Sequence, residues 1–282
     1  MDRRQRLVEI FEDTQQFYTE NEKLAGAMKT SKEKTELYEA DSYPGELFPL
    51  EICCTVRVTK HKTFEAAMKI HAEHPDWKVT VLNFASATNP GGGVKTGSSA
   101  QEESLCRCST LYPTLTQGWV WQNYYTKNRA VHDNLHTDDC IYSPGIVICK
   151  TDEAYPERME EKDWVAVDII SCAAPNLRRR PGNVHNPEYG EAKTVSPEDL
   201  YQLHLKRAKH ILHIAAAHHT DVLILGAFGC GAFANDPDVV SRAYRDALVE
   251  YKKYFRYIEF AVYCRATETE NYDAFRREIF EN

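Results

Sequence analysis

Two adjacent glutamates, Glu102 and Glu103, are the residues of this sequence best suited to chemistry, because they closely follow a glycine triplet, Gly91 to Gly93. A glycine triplet costs backbone entropy, but it lets a phosphate or a sugar approach the main chain. A carboxyl buried near bound phosphates has its charged form disfavoured by desolvation and by like charge. Its pKa therefore rises, and it can donate a proton to a leaving oxygen.

The same two acids also fit an ordinary helix start, where carboxylates interact favourably with the positive end of the helix dipole. Consecutive helical residues point about 100° apart, so Glu102 and Glu103 are not placed to flank one glycosidic bond as a conventional pair does. One acid would then transfer the proton, while the other would bind or orient the ligand.

The elements around the glycines place them at a ligand-binding edge. The β-branched and apolar run 78–84 predicts a strand, and residues 100–111 predict a helix. Ligands bind at the carboxyl ends of strands in α/β sheets, and a following helix start favours anions. The triplet matches neither G-x-G-x-x-G nor a loop ending in Gly-Lys-Ser/Thr.

A second glycine cluster, residues 226–233 (GAFGCGAF), follows another predicted strand and precedes a helix that begins near Pro237. Two such loops on neighbouring strands could hold a pyrophosphate between backbone N–H groups without lysines. Either loop alone is also compatible with a tight turn in which glycine only relieves steric crowding.

Composition limits the class of protein. The 282 residues carry a net charge of −8 and are 43% hydrophobic, which fits one large domain or a core with an extension. The acidic balance argues against broad nucleic-acid binding through phosphates. The N-terminus is charged and amphipathic, and no apolar run approaches membrane-spanning length, so a cytoplasmic protein without a membrane segment is expected.

The cysteines and histidines predict no metal site. Nine scattered cysteines, mostly in apolar runs, indicate reduced buried thiols, and Cys106-Arg-Cys108 has the wrong spacing for a zinc knuckle. The histidines between His204 and His219 share one amphipathic helix and lack ligand-type spacing. Cys230 has no histidine partner nearby in the sequence and is read as a small residue in a tight loop. We expect neither a metal nor a cofactor.

The remaining pattern predicts an α/β sandwich around a mixed sheet, with a helical preface from Arg3 to about Lys29. Strand-like runs and helical stretches then follow one another along the chain. The predicted strands are 51–60, 78–84, 140–149, 164–173, 222–227 and 257–264, and the main predicted helices start at Thr63 and cover 100–111, 197–218 and 237–255. The polar, Pro- and Gly-rich segment 176–196 is predicted to be a long surface loop.

These residues resemble a known family. Asn89-Pro-Gly-Gly-Gly93, followed by Gln101-Glu102-Glu103, resembles the GGG-x(6–8)-QEE signature of poly(ADP-ribose) glycohydrolases, in particular the bacterial-type branch. The similarity continues in four further segments, Ser109–Pro113, Tyr142–Gly145, Ala173–Asn176 and Leu225–Phe233. The resemblance implies a macrodomain-like, three-layer α/β/α domain with a central mixed sheet over residues 51–282, preceded by an N-terminal helical extension over residues 1–50.

The resemblance also implies roles for single residues. Glu103 would protonate the ribose 2′ oxygen as the ribose–ribose bond breaks, and the same carboxylate would then activate water. Glu102 would position the ribose hydroxyls. The other substrate-binding residues implied are Asn89 at the ribose, Gly91, Gly92, Gly93 and Val94 in the catalytic loop, Gln101 beside the acids, and Gly229, Cys230, Gly231, Ala232 and Phe233 in a diphosphate loop, with Phe233 against the distal ribose.

The implied partners are poly(ADP-ribose) or ADP-ribosylated macromolecules, with ADP-ribose as product. A chain-end preference is implied, because residues 1–50 can cap the far side of the ribose pocket. Two alternatives stay open: a non-catalytic ADP-ribose reader, which would not need adjacent acids, and a hydrolase of mono-ADP-ribose on protein or nucleic acid. Arg178 to Arg180 could contact phosphates of a longer polymer or could be solvated.

Overall fold

The computed structural model describes residues 2–182 and 191–280, and its centre is a seven-stranded sheet. In spatial order the strands are β1 (Glu36–Tyr38), β4 (Cys140–Ile148), β5 (Val165–Cys172), β3 (Val79–Phe84), β6 (Val222–Leu225), β7 (Tyr257–Ala261) and β2 (Thr55–Thr59). The five strands from β5 to β2 are parallel, whereas β4 and β1 are antiparallel to their neighbours. The sheet is therefore mixed.

Helices cover both faces of the sheet. They are α1 (Arg3–Glu20), α2 (Glu22–Glu33), α3 (Thr63–Glu73), α4 (Gln101–Cys108), α5 (Tyr112–Leu115), α6 (Gly118–Val120), α7 (Thr126–Val131), α8 (Pro197–Ala217), α9 (Pro237–Tyr251) and α10 (Glu270–Phe280). Short 3₁₀ turns lie at Val94–Thr96, Glu161–Asp163 and Lys252–Tyr254, and a π-helical turn spans Trp121–Tyr125. One core cluster packs Val81 against α1, α3 and α4, and another packs Leu82 against α8 and α9. The predicted three-layer α/β/α architecture is confirmed.

The predicted strands are confirmed. They are predictable from the sequence because the central ones are buried on both faces. In β3, Val81 and Leu82 point to opposite sides of the sheet and are both fully buried. A parallel strand covered on both faces reads as a continuous apolar run rather than an alternating one. Such runs are visible in the sequence without knowledge of the partners.

The N-terminal segment contains more than the predicted helical preface. Its periodic run divides into α1 and α2 at Asn21, whose side chain accepts hydrogen bonds from the N–H groups of Lys23 and Leu24 at 3.1 Å each. Farther on, β1 pairs with the edge of β4. The sequence around β1 is polar, and only pairing with β4 reveals the strand. The division at residue 50 stays a prediction.

Helix α1 packs against the element that carries the two acids. The Thr14 hydroxyl donates to the carbonyl of Arg107 at 2.6 Å, which ties the middle of α1 to the end of α4. At the start of α1, a Cβ atom on Gly97 would overlap the carbonyl oxygen of Arg4. The extension therefore supports the loop between β3 and α4.

Within the described residues, no helix combines the length and apolar character needed to cross a bilayer. The predicted surface loop 176–196 falls partly outside the described residues, at 183–190. Its described ends, 176–182 and 191–196, contain neither helix nor strand.

Candidate active site

The two glycine loops lie side by side at the carboxyl edge of the sheet. They follow β3 and β6, which are adjacent and parallel. The rings of Phe84 and Phe228 are 5.5 Å apart, and a Cβ atom on Gly226 would lie 2.9 Å from the Phe84 ring. The loop after β5 contacts the second glycine loop, since a Cβ atom on Gly229 would lie 2.7 Å from the Cβ of Ala174.

Gln101 anchors the first turn of α4 to the end of β3. Its amide nitrogen donates to the carbonyl of Leu82 at 2.8 Å and to the hydroxyl of Thr63 at 3.1 Å, while its oxygen accepts from the N–H of Phe84 at 2.8 Å. Protein groups thus engage both ends of the amide. The Gln101 side chain fixes the position of α4, and with it the position of both acids.

Glu102 is buried, with 3% of its surface exposed, and faces the end of β3. Its Oε2 accepts from the N–H of Ser86 at 2.7 Å, and its Oε1 lies 3.5 Å from the Asn83 amide nitrogen. Burial is the main cause that raises the pKa of Glu102 well above its usual value, followed by the adjacent charge of Glu103. Hydrogen bonds from Ser86, Asn83 and Gly91 stabilise the carboxylate and lower this pKa, but by less than burial raises it.

Glu103 is also buried, with 7% exposed, but its surroundings differ. Its Oε1 accepts from the N–H of Gly93 at 2.8 Å. Its Oε2 has no hydrogen-bond partner among the described residues. One oxygen is therefore fixed by the glycine loop, and the other is buried and unpaired.

The glycine triplet is needed because the loop passes directly over the acids. Gly91 and Gly92 both have positive φ, at 70° and 58°. A Cβ atom on Gly92 would lie 2.5 Å from the Glu103 Oε1, and one on Gly91 would lie 2.8 Å from the Tyr112 ring. Val94 is buried and begins the 3₁₀ turn that ends this loop. Side chains at these two glycines would displace the carboxyl or the ring.

Asn89 lies at the rim of this loop and belongs to a network that includes Arg129. The Arg129 guanidinium donates to the Asn89 side-chain oxygen at 2.5 Å and to the carbonyl of Thr88 at 2.8 Å. The guanidinium carbon of Arg129 also lies 5.1 Å from the ring centre of Trp121, a residue of the π-helical turn. Arg129 and Trp121 border the predicted site, and no sequence motif marked them.

The second loop presents unpaired backbone donors. Gly229 has φ 81°, and the N–H groups of Gly231, Ala232 and Phe233 donate to no acceptor within residues 2–182 and 191–280. Gly231 and Ala232 are exposed. Consecutive free N–H groups in such a turn form an anion-binding concavity. The role of this loop in diphosphate binding stays a prediction.

Asn235, which the motif did not mark, holds the second loop in shape. Its buried amide donates to the carbonyls of Pro175 at 2.7 Å and Gly229 at 3.0 Å. Its oxygen lies 2.9 Å from Nε2 of His204. Burial lowers the pKa of His204 to about 4, so the imidazole is neutral near pH 7 and donates through Nε2.

The other marked residues of the second loop have distinct surroundings. Phe233 packs beside His136, with ring centres 5.9 Å apart, and the Arg178 guanidinium carbon lies 5.6 Å from its ring centre. Cys230 is half-buried against the core, and burial raises the pKa of its thiol. The Cys230 side chain is therefore a neutral group that packs against the core.

The histidines of α8 serve the fold. The two ring nitrogens of His210 lie 2.9 Å from the backbone oxygens of Asp138 and Ser42. Nε2 of His213 lies 2.9 Å from the backbone oxygen of Pro44. Among the described residues, no three His, Cys, Asp or Glu side chains are grouped as a metal site would require.

The layered sheet, with two buried acids and a loop of free N–H groups at its carboxyl edge, is the arrangement of a macrodomain-like enzyme. The family model of the microbial-type PARG catalytic domain matches residues 5–151, more than half of the chain. The chain belongs to this family, and the predicted resemblance and enzyme class are confirmed.

Solved structures agree with this assignment. Poly(ADP-ribose) glycohydrolase (PARG) from Thermomonospora curvata is 31% identical with a TM-score of 0.77, over 90% of this chain and 89% of that one. The Deinococcus radiodurans PARG in complex with ADP-ribose is 32% identical with a TM-score of 0.71, over 90% and 97% of the two chains. No curated protein sequence matched this chain.

Proposed function

We propose that this protein hydrolyses the ribose–ribose O-glycosidic bonds of poly(ADP-ribose) and releases ADP-ribose. The observation that carries the proposal is the Glu103 carboxyl, which is buried and held at one oxygen by the glycine loop while its other oxygen is unpaired. The relatives solved with ADP-ribose or with the inhibitor ADP-HPD support binding of the same ligand here.

The reaction needs one proton donor that later acts as a base. Protonated Glu103 donates its proton to the 2′ oxygen of the leaving ribose as the bond to the anomeric carbon breaks. The positive charge develops on the other ribose as an oxocarbenium-like state. The Glu103 carboxylate then takes a proton from the attacking water, which restores the acid. Glu102 would orient the ribose hydroxyls.

The pyrophosphate of the bound unit would lie against the second loop. Gly231, Ala232 and Phe233 offer three N–H donors there, and a pyrophosphate provides the matching acceptors. In this proposal Phe233 contacts the distal ribose, while Asn89 and residues Gly91 to Val94 contact the ribose that reacts.

A chain-end preference is also proposed, because the extension forms a wall near Phe233. Residues 39–42 line a 580 Å³ cavity together with His136, whose ring packs beside Phe233. Four carboxylates line this cavity, and all of them are ion-paired: Glu39 and Asp139 with Lys127, and Asp41 and Asp138 with Lys206. In this proposal the wall acts sterically, by limiting the space for a further unit beyond the distal ribose.

The test of this proposal is Glu103→Gln. The amide keeps the size of the side chain but cannot donate a carboxyl proton, so ADP-ribose release from polymer should fall by about 100-fold or more. ADP-ribose binding by calorimetry should stay within a few-fold of wild type. Glu198→Gln, in the first turn of α8, is the matched control and should keep full activity. Wild-type hydrolysis by Glu103→Gln would contradict the mechanism.

The two alternatives are separated by offering three substrates side by side: polymer, mono-ADP-ribosylated protein and ADP-ribosylated DNA. Free ADP-ribose is the readout. Release from the polymer supports the proposed activity, whereas release from the monomeric substrates alone would exclude it. A reader would bind ADP-ribose and release nothing from any of the three.

A further inference from the structure

The first turns of α1 carry an unusual set of cations. Arg3, Arg4 and Arg6 are all exposed, and no acid lies in the first turn of the helix. Within the described residues, Arg3 and Arg4 make no ion pair or side-chain hydrogen bond, and Arg6 lies 3.9 Å over the ring of Tyr155. Cations at a helix N-terminus oppose the helix dipole. An acidic chain thus concentrates positive charge where the helix itself disfavours it.

These arginines adjoin the catalytic loop. The backbone of Arg4 touches Gly97, which ends the 3₁₀ turn after the glycine triplet. Lys95 in that turn is exposed, and its ammonium lies 5.5 Å over the ring of Tyr112, which in turn closes on Gly91. We call Arg3, Arg4, Arg6 and Lys95 the basic patch.

Beneath the basic patch lies a buried cation without a hydrogen-bond partner. Arg107 is 2% exposed, and no protein group among the described residues accepts a hydrogen bond from its guanidinium. It lies close enough to both Glu103 and Arg3 for their charges to act on it. A buried charge without a partner is costly. Arg107 therefore adds to the positive potential between the acid and the surface.

The proposed reaction indicates which anion this region meets. Glu103 protonates an oxygen that belongs to the leaving unit, so that unit must pass the carboxyl and continue beyond it. The pyrophosphate of the released ADP-ribose lies on the opposite loop, at Gly231 to Phe233. The leaving unit carries its own pyrophosphate, which needs cations on the catalytic-loop side.

We infer that the basic patch binds the pyrophosphate of the ADP-ribose unit on the leaving side of the scissile bond. The inference rests on the proposed function and assigns a second phosphate site to the same substrate. Exposed arginines suit this task, since guanidinium groups bind phosphate oxygens in a bidentate manner.

The experiment compares two substrates in one triple variant, Arg3→Gln/Arg4→Gln/Arg6→Gln. One substrate is poly(ADP-ribose), and the other is an aryl glycoside of ADP-ribose at the anomeric carbon, whose leaving group has no phosphate. On polymer, kcat/KM should fall by about 10-fold or more, and its dependence on salt should become shallower. On the aryl glycoside, kcat/KM should stay within about 2-fold. Lys29→Gln/Lys34→Gln/Lys252→Gln removes the same charge from exposed lysines elsewhere and should leave both substrates unaffected.

Equal losses on the two substrates, or no loss on polymer, would overturn the inference while leaving the proposed function intact. A wild-type enzyme that releases ADP-ribose from neither substrate would overturn the proposed function and the inference together. If the triple variant does not fold, Arg4→Gln and Lys95→Gln serve singly. Each should then lower polymer kcat/KM about 3-fold and spare the aryl glycoside.

Discussion

Glu102 and Glu103 are neighbours in sequence, yet the structure gives them different environments. Glu102 faces the end of β3 and is surrounded by donors from Ser86, Asn83 and Gly91. Glu103 meets one donor, from Gly93, and keeps one oxygen unpaired. A carboxyl whose oxygens are already engaged suits orientation, while one with a free oxygen suits proton transfer. These environments support the unequal roles proposed for the two acids.

The raised pKa of Glu102 makes a prediction about stability. The folded protein holds a proton on Glu102 to higher pH than the unfolded chain does, so the free energy of unfolding falls as pH rises through this range. Glu102→Gln has no such charge to bury. Its stability relative to wild type should therefore grow with pH above the usual glutamate range, with a slope of up to about 1.4 kcal/mol per pH unit.

Urea denaturation of both proteins between pH 4 and pH 8, in steps of about half a unit, measures this difference. Glu198→Gln is again the control, because its side chain is exposed at the start of α8. A difference between Glu102→Gln and wild type that does not change with pH would show that Glu102 ionises equally in the folded and unfolded states.

At the scale of elements, the site is an arrangement of loops held by buried amides. Gln101 ties α4 to β3, and Asn235 ties the second loop to the segment after β5. Each amide satisfies backbone groups that would otherwise be buried without partners. The loops thereby keep their shape without a ligand, which lowers the entropic cost of binding.

Asn235→Ala should loosen the second loop. It leaves the carbonyl of Pro175 without its donor, while the Gly229 carbonyl keeps only the backbone N–H of residue 235, so the free energy of unfolding should fall by about 1–3 kcal/mol. The affinity for ADP-ribose should fall by about 10-fold, as free N–H groups lose their common orientation. Calorimetry measures the affinity, and thermal unfolding measures the stability.

The control for this prediction is Asn123→Ala. Asn123 is exposed in the π-helical turn, and its amide donates to the carbonyl of Trp119 at 2.8 Å. That substitution should change stability by less than about 0.5 kcal/mol and leave ADP-ribose binding unaltered. Unchanged ADP-ribose affinity in Asn235→Ala would mean that Asn235 does not organise the binding loop.

At the scale of the whole molecule, charge is distributed unevenly around the proposed site. The start of α1 concentrates arginines near the catalytic loop, whereas the four carboxylates of residues 39–42 and the facing segment are ion-paired with lysine and arginine side chains. The net charge of −8 conceals this asymmetry. A polyanionic chain is therefore favoured on the side of the arginines.

The wall that residues 39–42 form predicts cleavage from the chain end. Monomeric ADP-ribose should be the main product from the first turnovers, with no early accumulation of long oligomers. A polymer whose terminal adenosine ribose carries a bulky 2′ substituent should resist hydrolysis, while the unmodified polymer is the control. Chromatography of early time points resolves monomers from oligomers. Rapid hydrolysis of the blocked polymer to oligomers would indicate cleavage within the chain instead.

Much of this fold can be predicted from sequence because its signals are local. Buried parallel strands appear as apolar runs, as at β3, and helix starts appear as Ser196 before Pro197 or Asp236 before Pro237. Strand β1 cannot be found this way, because its three residues are polar or mixed and depend on pairing with β4. The turns between Tyr112 and Val131 are similarly short and depend on burial of Tyr124 and Tyr125.

The sequence by itself determined the family, the two glycine loops and the pair of acids, since these are contiguous motifs. Only the tertiary structure decided which acid keeps a free oxygen, and that Asn235 and Gln101 organise the loops. It alone brought the arginines of α1 beside the catalytic loop. Such contacts join residues far apart in the chain, and their geometry depends on how the layers pack rather than on any local pattern.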